Sequence, residues 1–130
     1  MSQRISRNQL IEEIVKLVAR RGTCKRSQVG CVIERDGRII SIGYNGSPPG
    51  APHCTDVGCL MVDEHCVRTT HAESNAIAWA ARKGIATEGA TIHVYGWITG
   101  GELGICSACE KLAKSAGISR IVIIPLEETK

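Results

Sequence analysis

The chain contains no phenylalanine, and aromatic residues make up only 3% of its 130 residues. Its core must therefore be built from the aliphatic side chains of Ile, Val, Leu and Ala. No apolar run approaches the roughly 18 residues that a membrane-spanning helix needs. The first nine residues are polar and lack the apolar stretch of a secretory signal. We therefore expect a cytoplasmic protein with no membrane partner.

A strong charge imbalance is also missing, since the net charge is +3 and the Lys and Arg residues are scattered. A sequence-independent nucleic-acid binder usually carries a dense basic stripe with stacking aromatics, so the composition argues against nucleic acid as a partner. The nearest basic cluster is either solvated charge after a helix or a site for a small anion such as a nucleotide phosphate. Its members are Arg20, Arg21, Lys25 and Arg26.

Cysteine, by contrast, is abundant, with seven residues in this short chain. Structural disulfides are disfavoured in a reducing cytosol, so clustered thiols there more often bind metal or take part in chemistry. An odd count also argues against a simple set of disulfide pairs.

The length of 130 residues predicts one domain, residues 1–130, and the order of the predicted elements indicates the layered α/β type. Two β-rich runs joined by Asp36-Gly37 form a strong hairpin signal. The expected order is α-β-β-α-β-α-β, with helices covering a mixed sheet. Helices are predicted over residues 8–21, 71–83 (capped by Thr70) and 106–116, and strands over 28–34, 38–44, 91–95 and 120–124.

Two short motifs, each at a point where a loop enters a predicted helix, carry the chemistry. The first is His71-Ala72-Glu73, and the second is the C-x-x-C pair Cys106 and Cys109. Cysteines three positions apart at a helix start lie on one face, so both sulfurs can reach one metal ion. His71 completes three protein ligands and leaves a fourth position open, which is the arrangement of catalytic zinc.

Glu73 is predicted to lie beside the open position rather than on the metal. A carboxylate there can accept a proton from water and deliver it to a ring nitrogen and then to a leaving amine. Each motif alone has an ordinary explanation, because C-x-x-C can be a redox pair and His-x-Glu can be helix capping. Together and in this order, they match the H-x-E and C-x-x-C signature of zinc deaminases.

Over residues 24–124 the chain resembles the deoxycytidylate (dCMP) deaminases of the cytidine deaminase superfamily. The resemblance is carried by Gln28-Val29-Gly30, Gly43-Tyr44-Asn45-Gly46 and the segment 68–77 around the first motif. Transfer RNA adenosine deaminases and riboflavin-pathway deaminases share the zinc motifs but generally lack the Gly-Tyr-Asn-Gly combination. The resemblance implies a three-layer α-β-α cytidine-deaminase-like fold with a mixed central sheet. It also implies hydrolysis of dCMP to dUMP and ammonia, which feeds thymidylate synthesis.

The resemblance implies further contacts and partners. Asn45 would contact the substrate nucleotide, and backbone atoms of Ala72 would help to read the base. The family is often hexameric, activated by dCTP and inhibited by dTTP through a site near residues 43–46. The position of Arg82 is one at which the family presents a phosphate or interface contact, although a surface arginine near a helix end explains it equally well. The candidate effector or phosphate contacts are Arg26, Tyr44, Gly46 and Arg82.

Five cysteines lie outside the C-x-x-C motif, and Cys31 is expected to be a core residue because it falls within the first strand. The other four lie in or beside loops, and four thiolates form a closed structural zinc set. Related deaminases carry a second zinc at several of these positions. His53 and His65 are competing ligands, and unpaired loop thiols are the alternative. The proposed set is Cys24, Cys54, Cys59 and Cys66.

The chain departs from the family pattern just before the second motif. The family usually has proline immediately before the first cysteine of that motif, where this chain has Ile105, and the connection 95–104 is longer and richer in glycine. We expect the zinc site to be retained and the pocket wall to differ, with Trp97 either stacking on a base or packing against Leu103. Another or a modified cytosine nucleotide, such as 5-methyl-dCMP, is therefore an alternative substrate. The alternative from another functional class is a nucleotide-binding sensor whose fold is held by zinc and whose catalytic activity is weak.

Overall fold

The computed structural model describes residues 3–24, 27–62, 65–66, 68, 70–98 and 106–126. Its helices are α1 (Arg7–Ala19), α2 (Cys54–Val57), α3 (Ala72–Arg82) and α4 (Ser107–Ser115). Its strands are β1 (Ser27–Arg35), β2 (Arg38–Tyr44), β3 (Met61–Val62), β4 (His65–Cys66), β5 (Thr91–Ile98) and β6 (Arg120–Ile123). Within these ranges, no helix combines the length and the apolar character needed to cross a membrane.

The central sheet is mixed and has the strand order β2-β1-β5-β6. Strand β1 pairs antiparallel with both β2 and β5, and β5 pairs parallel with β6. The predicted hairpin between β1 and β2 is present: Asp36 and Gly37 have φ values of 54° and 77°. Positive φ at both residues is what a type I′ turn requires.

Helix α1 covers one face of this sheet, and α3 and α4 cover the other. On β1, Val32 packs with Ile11 and Val15 of α1, whereas its neighbours Cys31 and Ile33 belong to the cluster that includes α3 and α4. Successive residues of a strand point to opposite faces, so β1, which is buried from Val29 to Ile33, supplies both cores. The predicted three-layer α-β-α arrangement with a mixed sheet is confirmed.

Two glycines allow the helices to lie against the sheet. A Cβ atom on Gly30 would lie 2.5 Å from the backbone nitrogen of Ala19, and one on Gly43 would lie 2.5 Å from the carbonyl oxygen of Ala72 and from the nitrogen of Ala76. No larger residue fits at such distances without moving the helix backbone. Gly43 therefore determines how closely the first turn of α3 approaches β2.

The structure corrects three details of the predicted elements. The cap of α3 is His71 rather than Thr70, because Thr70 instead exchanges backbone hydrogen bonds with Gly46. Strand β5 continues to Ile98, because β1 pairs with it as far as Ser27. The irregular segment after β2 contains the short helix α2 and the paired strands β3 and β4. The helix has four residues and each strand has two, which is too short to give a periodic signal in the sequence.

Candidate metal centre and active site

The two sequence motifs meet at the amino-terminal ends of α3 and α4. His71 is the N-cap residue of α3 and Cys106 is the N-cap residue of α4, where its sulfur accepts a hydrogen bond from the backbone N–H of Cys109. The two helices pack side by side on the sheet. His71 and Cys106, which are 35 positions apart in the chain, are thereby brought together. The positive ends of both helix dipoles point at them.

The distances among these ligand atoms suit a tetrahedral metal. Nδ1 of His71 lies 3.4 Å from Sγ of Cys106 and 3.3 Å from Sγ of Cys109, and the three atoms lie within 4.8 Å of one another. Zinc–sulfur bonds of about 2.3 Å and zinc–nitrogen bonds of about 2.0 Å place such ligand atoms roughly 3.5 Å apart. Because His71 is exposed, the group is accessible from solvent. The residues present therefore fit a zinc ion with three protein ligands.

Electrostatics at the centre disfavour a free thiolate at Cys109. Burial raises the pKa of the Cys109 thiol, a hydrogen bond with Ser74 lowers it, and the neighbouring carboxylate of Glu73 raises it. A metal ion needs the thiolate form, so binding at this centre must release the thiol proton.

Glu73 lies in the first turn of α3 and is only 5% exposed. Its carboxylate is close enough to Cys109 and to Cys31 to raise the pKa of both thiols. The expectation that Cys31 is a core residue is confirmed, since it is fully buried, and burial is the main reason that its thiol pKa is raised. Its position beside the centre, on the strand beneath α3, is not apparent from the sequence.

The side chain of Asn45 joins the end of β2 to the start of β1. Its Oδ1 accepts a hydrogen bond of 2.8 Å from the N–H of Val29, and its Nδ2 donates to the carbonyl oxygen and hydroxyl of Ser27 at 2.9 and 3.1 Å. The amide donors are thus occupied, and a ligand can use only the second lone pair of Oδ1. Ala72, almost completely buried, begins α3 next to His71. The roles of Asn45 and Ala72 in binding substrate stay predictions.

Three of the four cysteines predicted to hold a second zinc also lie together. The Sγ atoms of Cys24, Cys54 and Cys59 are within 4.8 Å of one another, and those of Cys24 and Cys59 are 3.7 Å apart. Sulfurs bound to one tetrahedral zinc are about 3.8 Å apart, so this thiol group fits a metal. The backbone of Cys66 pairs with Met61 in the β3–β4 hairpin, and its side chain lies outside the described part of the chain.

A pocket of about 610 Å³ lies between β2 and α3, apart from the three metal-binding side chains of the centre. Tyr44, Gly46 and Arg82, three of the four predicted effector contacts, are among its lining residues. The ring of Trp79 also lines it, with the Arg82 guanidinium 5.5 Å from the ring centroid. The fourth predicted contact, Arg26, lies outside the described residues, as do Leu103, Ile105 and the side chains of His65 and Trp97.

Sequence comparison finds two informative similarities. Residues 5–124 match the model of the family described as the cytidine and deoxycytidylate deaminase zinc-binding region. The ComE operon protein 2 of Bacillus subtilis (strain 168) is 45% identical over 119 residues, which cover 92% of this chain and 59% of that protein. The chain thus spans less than two thirds of this relative.

Two further similarities concern proteins named for their substrate. The deoxycytidylate deaminase of Enterobacteria phage T4 is 32% identical over 148 aligned positions, covering 85% of this chain and 73% of the phage protein. The crystal structure of dCMP deaminase from cyanophage S-TIM5 in complex with dCMP and dUMP superposes with a TM-score of 0.74 at 22% identity, covering 94% of this chain and 83% of that one. At that identity the superposition shows a shared fold.

Proposed function

The chain belongs to the cytidine and deoxycytidylate deaminase family, and we propose that it is a zinc-dependent enzyme that hydrolyses dCMP to dUMP and ammonia. The observation that carries this proposal is the meeting of His71, Cys106 and Cys109 with the buried carboxylate of Glu73 beside them. The name of the phage T4 relative supports dCMP as the substrate. In this proposal the dUMP feeds thymidylate synthesis, and the enzyme works in the cytoplasm as a homo-oligomer, a hexamer in the family pattern.

The reaction replaces the amino group at C4 of cytosine by oxygen from water. Zinc held by His71, Cys106 and Cys109 would supply a Lewis acid that brings the pKa of water to about 7. Glu73 accepts one proton from the attacking water and passes it to the ring nitrogen N3. It then takes the remaining proton of that oxygen and delivers it to the departing amino group, which leaves as ammonia. Because Glu73 is buried, its carboxylate has little contact with bulk water.

A substrate panel tests this proposal. Incubation with dCMP, CMP, deoxycytidine and 5-methyl-dCMP, followed by measurement of ammonia release, should give the highest kcat/KM with dCMP. A preference for 5-methyl-dCMP would favour the alternative in which residues 96–104 alter the pocket wall. Binding of a nucleotide without turnover of any monophosphate would favour the nucleotide sensor instead.

We also propose that Cys24, Cys54 and Cys59 hold a second, structural zinc, with Cys66 as the fourth ligand. Cys24 precedes β1, Cys54 begins α2, Cys59 follows α2 and Cys66 lies in β4, so a metal there would tie together four separate segments of the chain. Cys24 and Cys54 are already buried. A closed set of four thiolates is typical of structural zinc.

Cys54→Ser tests the second zinc. We expect elemental analysis to fall from two zinc atoms per chain to about one, with a lower melting temperature, because loss of a ligand leaves the buried thiols uncompensated. Cys31→Ala is the matched control: it also removes a fully buried thiol and destabilises by cavity formation, but it should retain both metals. One zinc atom per chain in the wild-type protein would contradict the second site.

We further propose that the pocket between β2 and α3 binds a nucleotide effector, with dCTP activating and dTTP inhibiting. Its volume of about 610 Å³ suits a nucleotide. Trp79 offers an apolar ring for stacking, and Arg82 offers a guanidinium for phosphate.

Arg82→Ala is expected to weaken the response to both effectors at least severalfold, because a phosphate contact is lost. The measurement is dCMP turnover as dCTP and dTTP are titrated. Arg120→Ala is the control, since this exposed arginine starts β6 at the opposite end of the sheet order from β2. If Arg82→Ala responds to dCTP and dTTP as the wild-type protein does, Arg82 has no role in regulation.

A further inference from the structure

We propose that Ser74 is a positioning residue, whose hydroxyl holds and polarises the Cys109 thiolate on the metal. This inference rests on the proposed function, because it concerns a ligand of the catalytic zinc. Ser74 follows Glu73 in the first turn of α3, and its Oγ lies 3.5 Å from Sγ of Cys109 on α4. That distance is a hydrogen-bond contact for sulfur, and among the described residues it is the hydroxyl's one identified hydrogen bond.

The direction of this hydrogen bond follows from the state of the sulfur. In the metal-free protein either group can donate, because Cys109 can carry a thiol proton. A cysteine bound to zinc is a thiolate and has no proton to give. The Ser74 hydroxyl must then donate, and a hydrogen bond to an ionised acceptor is roughly twice as strong as one between neutral groups.

Each of the two cysteine sulfurs of the centre has a hydrogen-bond donor directed at it. Sγ of Cys106 accepts the backbone N–H of Cys109 at 3.4 Å, and Sγ of Cys109 accepts the Ser74 hydroxyl at 3.5 Å. Each thiolate therefore has one donor directed at it. Such a donor draws negative charge away from the sulfur, so the thiolate gives less of it to the metal and the metal stays a stronger Lewis acid.

The negative charge of the centre makes this donor important. Two thiolates neutralise the charge of a zinc ion, and the buried carboxylate of Glu73 adds a further negative charge close to Cys109. With His71 and Cys106 engaged as metal ligands, loss of the Ser74 hydroxyl would leave the Cys109 thiolate facing this carboxylate without the donor that Ser74 supplies. We therefore expect Ser74 to affect the chemical step more than substrate binding.

A purely mechanical role, in which Ser74 only fastens α3 to α4, is the competing explanation. It would change stability and leave the electronic state of the metal untouched. The experiment therefore compares Ser74→Ala, which removes the donor, with Ser74→Thr, which keeps a hydroxyl. Ser115→Ala is the control, because it makes the same chemical change at an exposed position in the last turn of α4.

Two readouts on these proteins test the proposal. In cobalt-substituted protein, Ser74→Ala should move the sulfur-to-cobalt charge-transfer band to longer wavelength, because a thiolate without its donor releases electrons more easily. In zinc-loaded protein, its kcat for dCMP should fall roughly 10-fold or more, the range for loss of a partner of a metal ligand, with KM changed less than about twofold. Ser74→Thr should restore both properties, and Ser115→Ala should change neither.

The outcomes separate this inference from the proposed function. A wild-type protein that binds metal and turns over dCMP, together with a Ser74→Ala variant of unchanged spectrum and kcat, overturns the role of Ser74 alone. A lowered melting temperature with an unchanged spectrum also overturns it, in favour of the mechanical role. A wild-type protein that holds no metal at His71, Cys106 and Cys109 overturns the proposed function and this inference with it.

Discussion

Replacement of Glu73 by glutamine is expected to lower kcat for dCMP by at least about 10²–10⁴-fold, the contribution of general acid–base catalysis, while the zinc content stays at the wild-type level. Glutamine has nearly the same volume and can still form hydrogen bonds, so it fits the buried position at the start of α3. It cannot take a proton from water and return it to the ring and the amine. The substitution therefore removes the proton carrier and leaves the metal ligands in place.

Steady-state kinetics with dCMP, together with elemental analysis of the same preparation, measure this effect. Glu110→Gln is a matched control: Glu110 lies in the first turn of α4, where its carboxylate is 3.1 Å from the Lys114 ammonium in a largely exposed ion pair. Surface pairs of this kind contribute little to stability, so that variant should turn over dCMP normally. A Glu73→Gln protein with kcat within a fewfold of wild type would remove Glu73 from the mechanism.

Replacement of Cys106 by alanine is expected to abolish deamination, because it removes one of three protein ligands of the catalytic zinc. Cys106 is partly exposed, so little packing is lost. The change also removes the N-cap hydrogen bond of α4, which is typically worth about 1 kcal/mol. Zinc content should fall by one atom per chain, and the second zinc should remain.

Cys106→Ser separates the cap from the metal. Serine is among the best N-cap residues, so α4 should keep its stability, whereas a neutral hydroxyl is a poor substitute for a thiolate ligand. Both variants should therefore be inactive, and only the alanine variant should show a weakened helix in thermal denaturation. Full activity and full zinc content in Cys106→Ala would contradict the assignment of this cysteine to the metal.

Most of the candidate site could be predicted from the sequence because its signals are local. Two cysteines three positions apart at a helix start share a face whatever the rest of the chain does. A His-x-Glu motif at another helix start keeps the histidine and the acid within one turn of the helix end. The long-range step, that Cys106 and His71 meet, rests on the combined H-x-E and C-x-x-C signature rather than on spacing. The predicted dCMP deaminase family and the α-β-α fold are confirmed.

Features that depend on how elements pack could not be predicted in this way. The contact between Ser74 and Cys109 requires a particular rotation of α3 against α4, and no local pattern encodes it. Gly96 resembles a loop residue in the sequence, but it lies within β5, where a Cβ atom would stand 2.3 Å from the carbonyl oxygen of Gln28. Glycine is needed there for close approach of the strands, not for a turn.

The cluster of Cys24, Cys54 and Cys59 also could be predicted only in part. The sequence indicates a cysteine-rich segment that needs a metal, but not which thiols are neighbours. The structure brings Cys24 from before β1 to Cys54 and Cys59. It also engages both amide donors of Asn45 with Ser27, a local constraint that the Gly-Tyr-Asn-Gly motif does not reveal.

The central claim is that this chain deaminates dCMP with a zinc ion held by His71, Cys106 and Cys109. The most direct test follows dUMP and ammonia in one reaction, with zinc-replete protein, with protein treated with a chelator until the more accessible zinc is lost, and with the same protein after zinc is restored. We predict equal amounts of dUMP and ammonia from dCMP, loss of both products with the chelator and their return with zinc. Zinc-replete protein that forms neither product, or chelated protein that has lost this zinc and still forms both, would contradict the account.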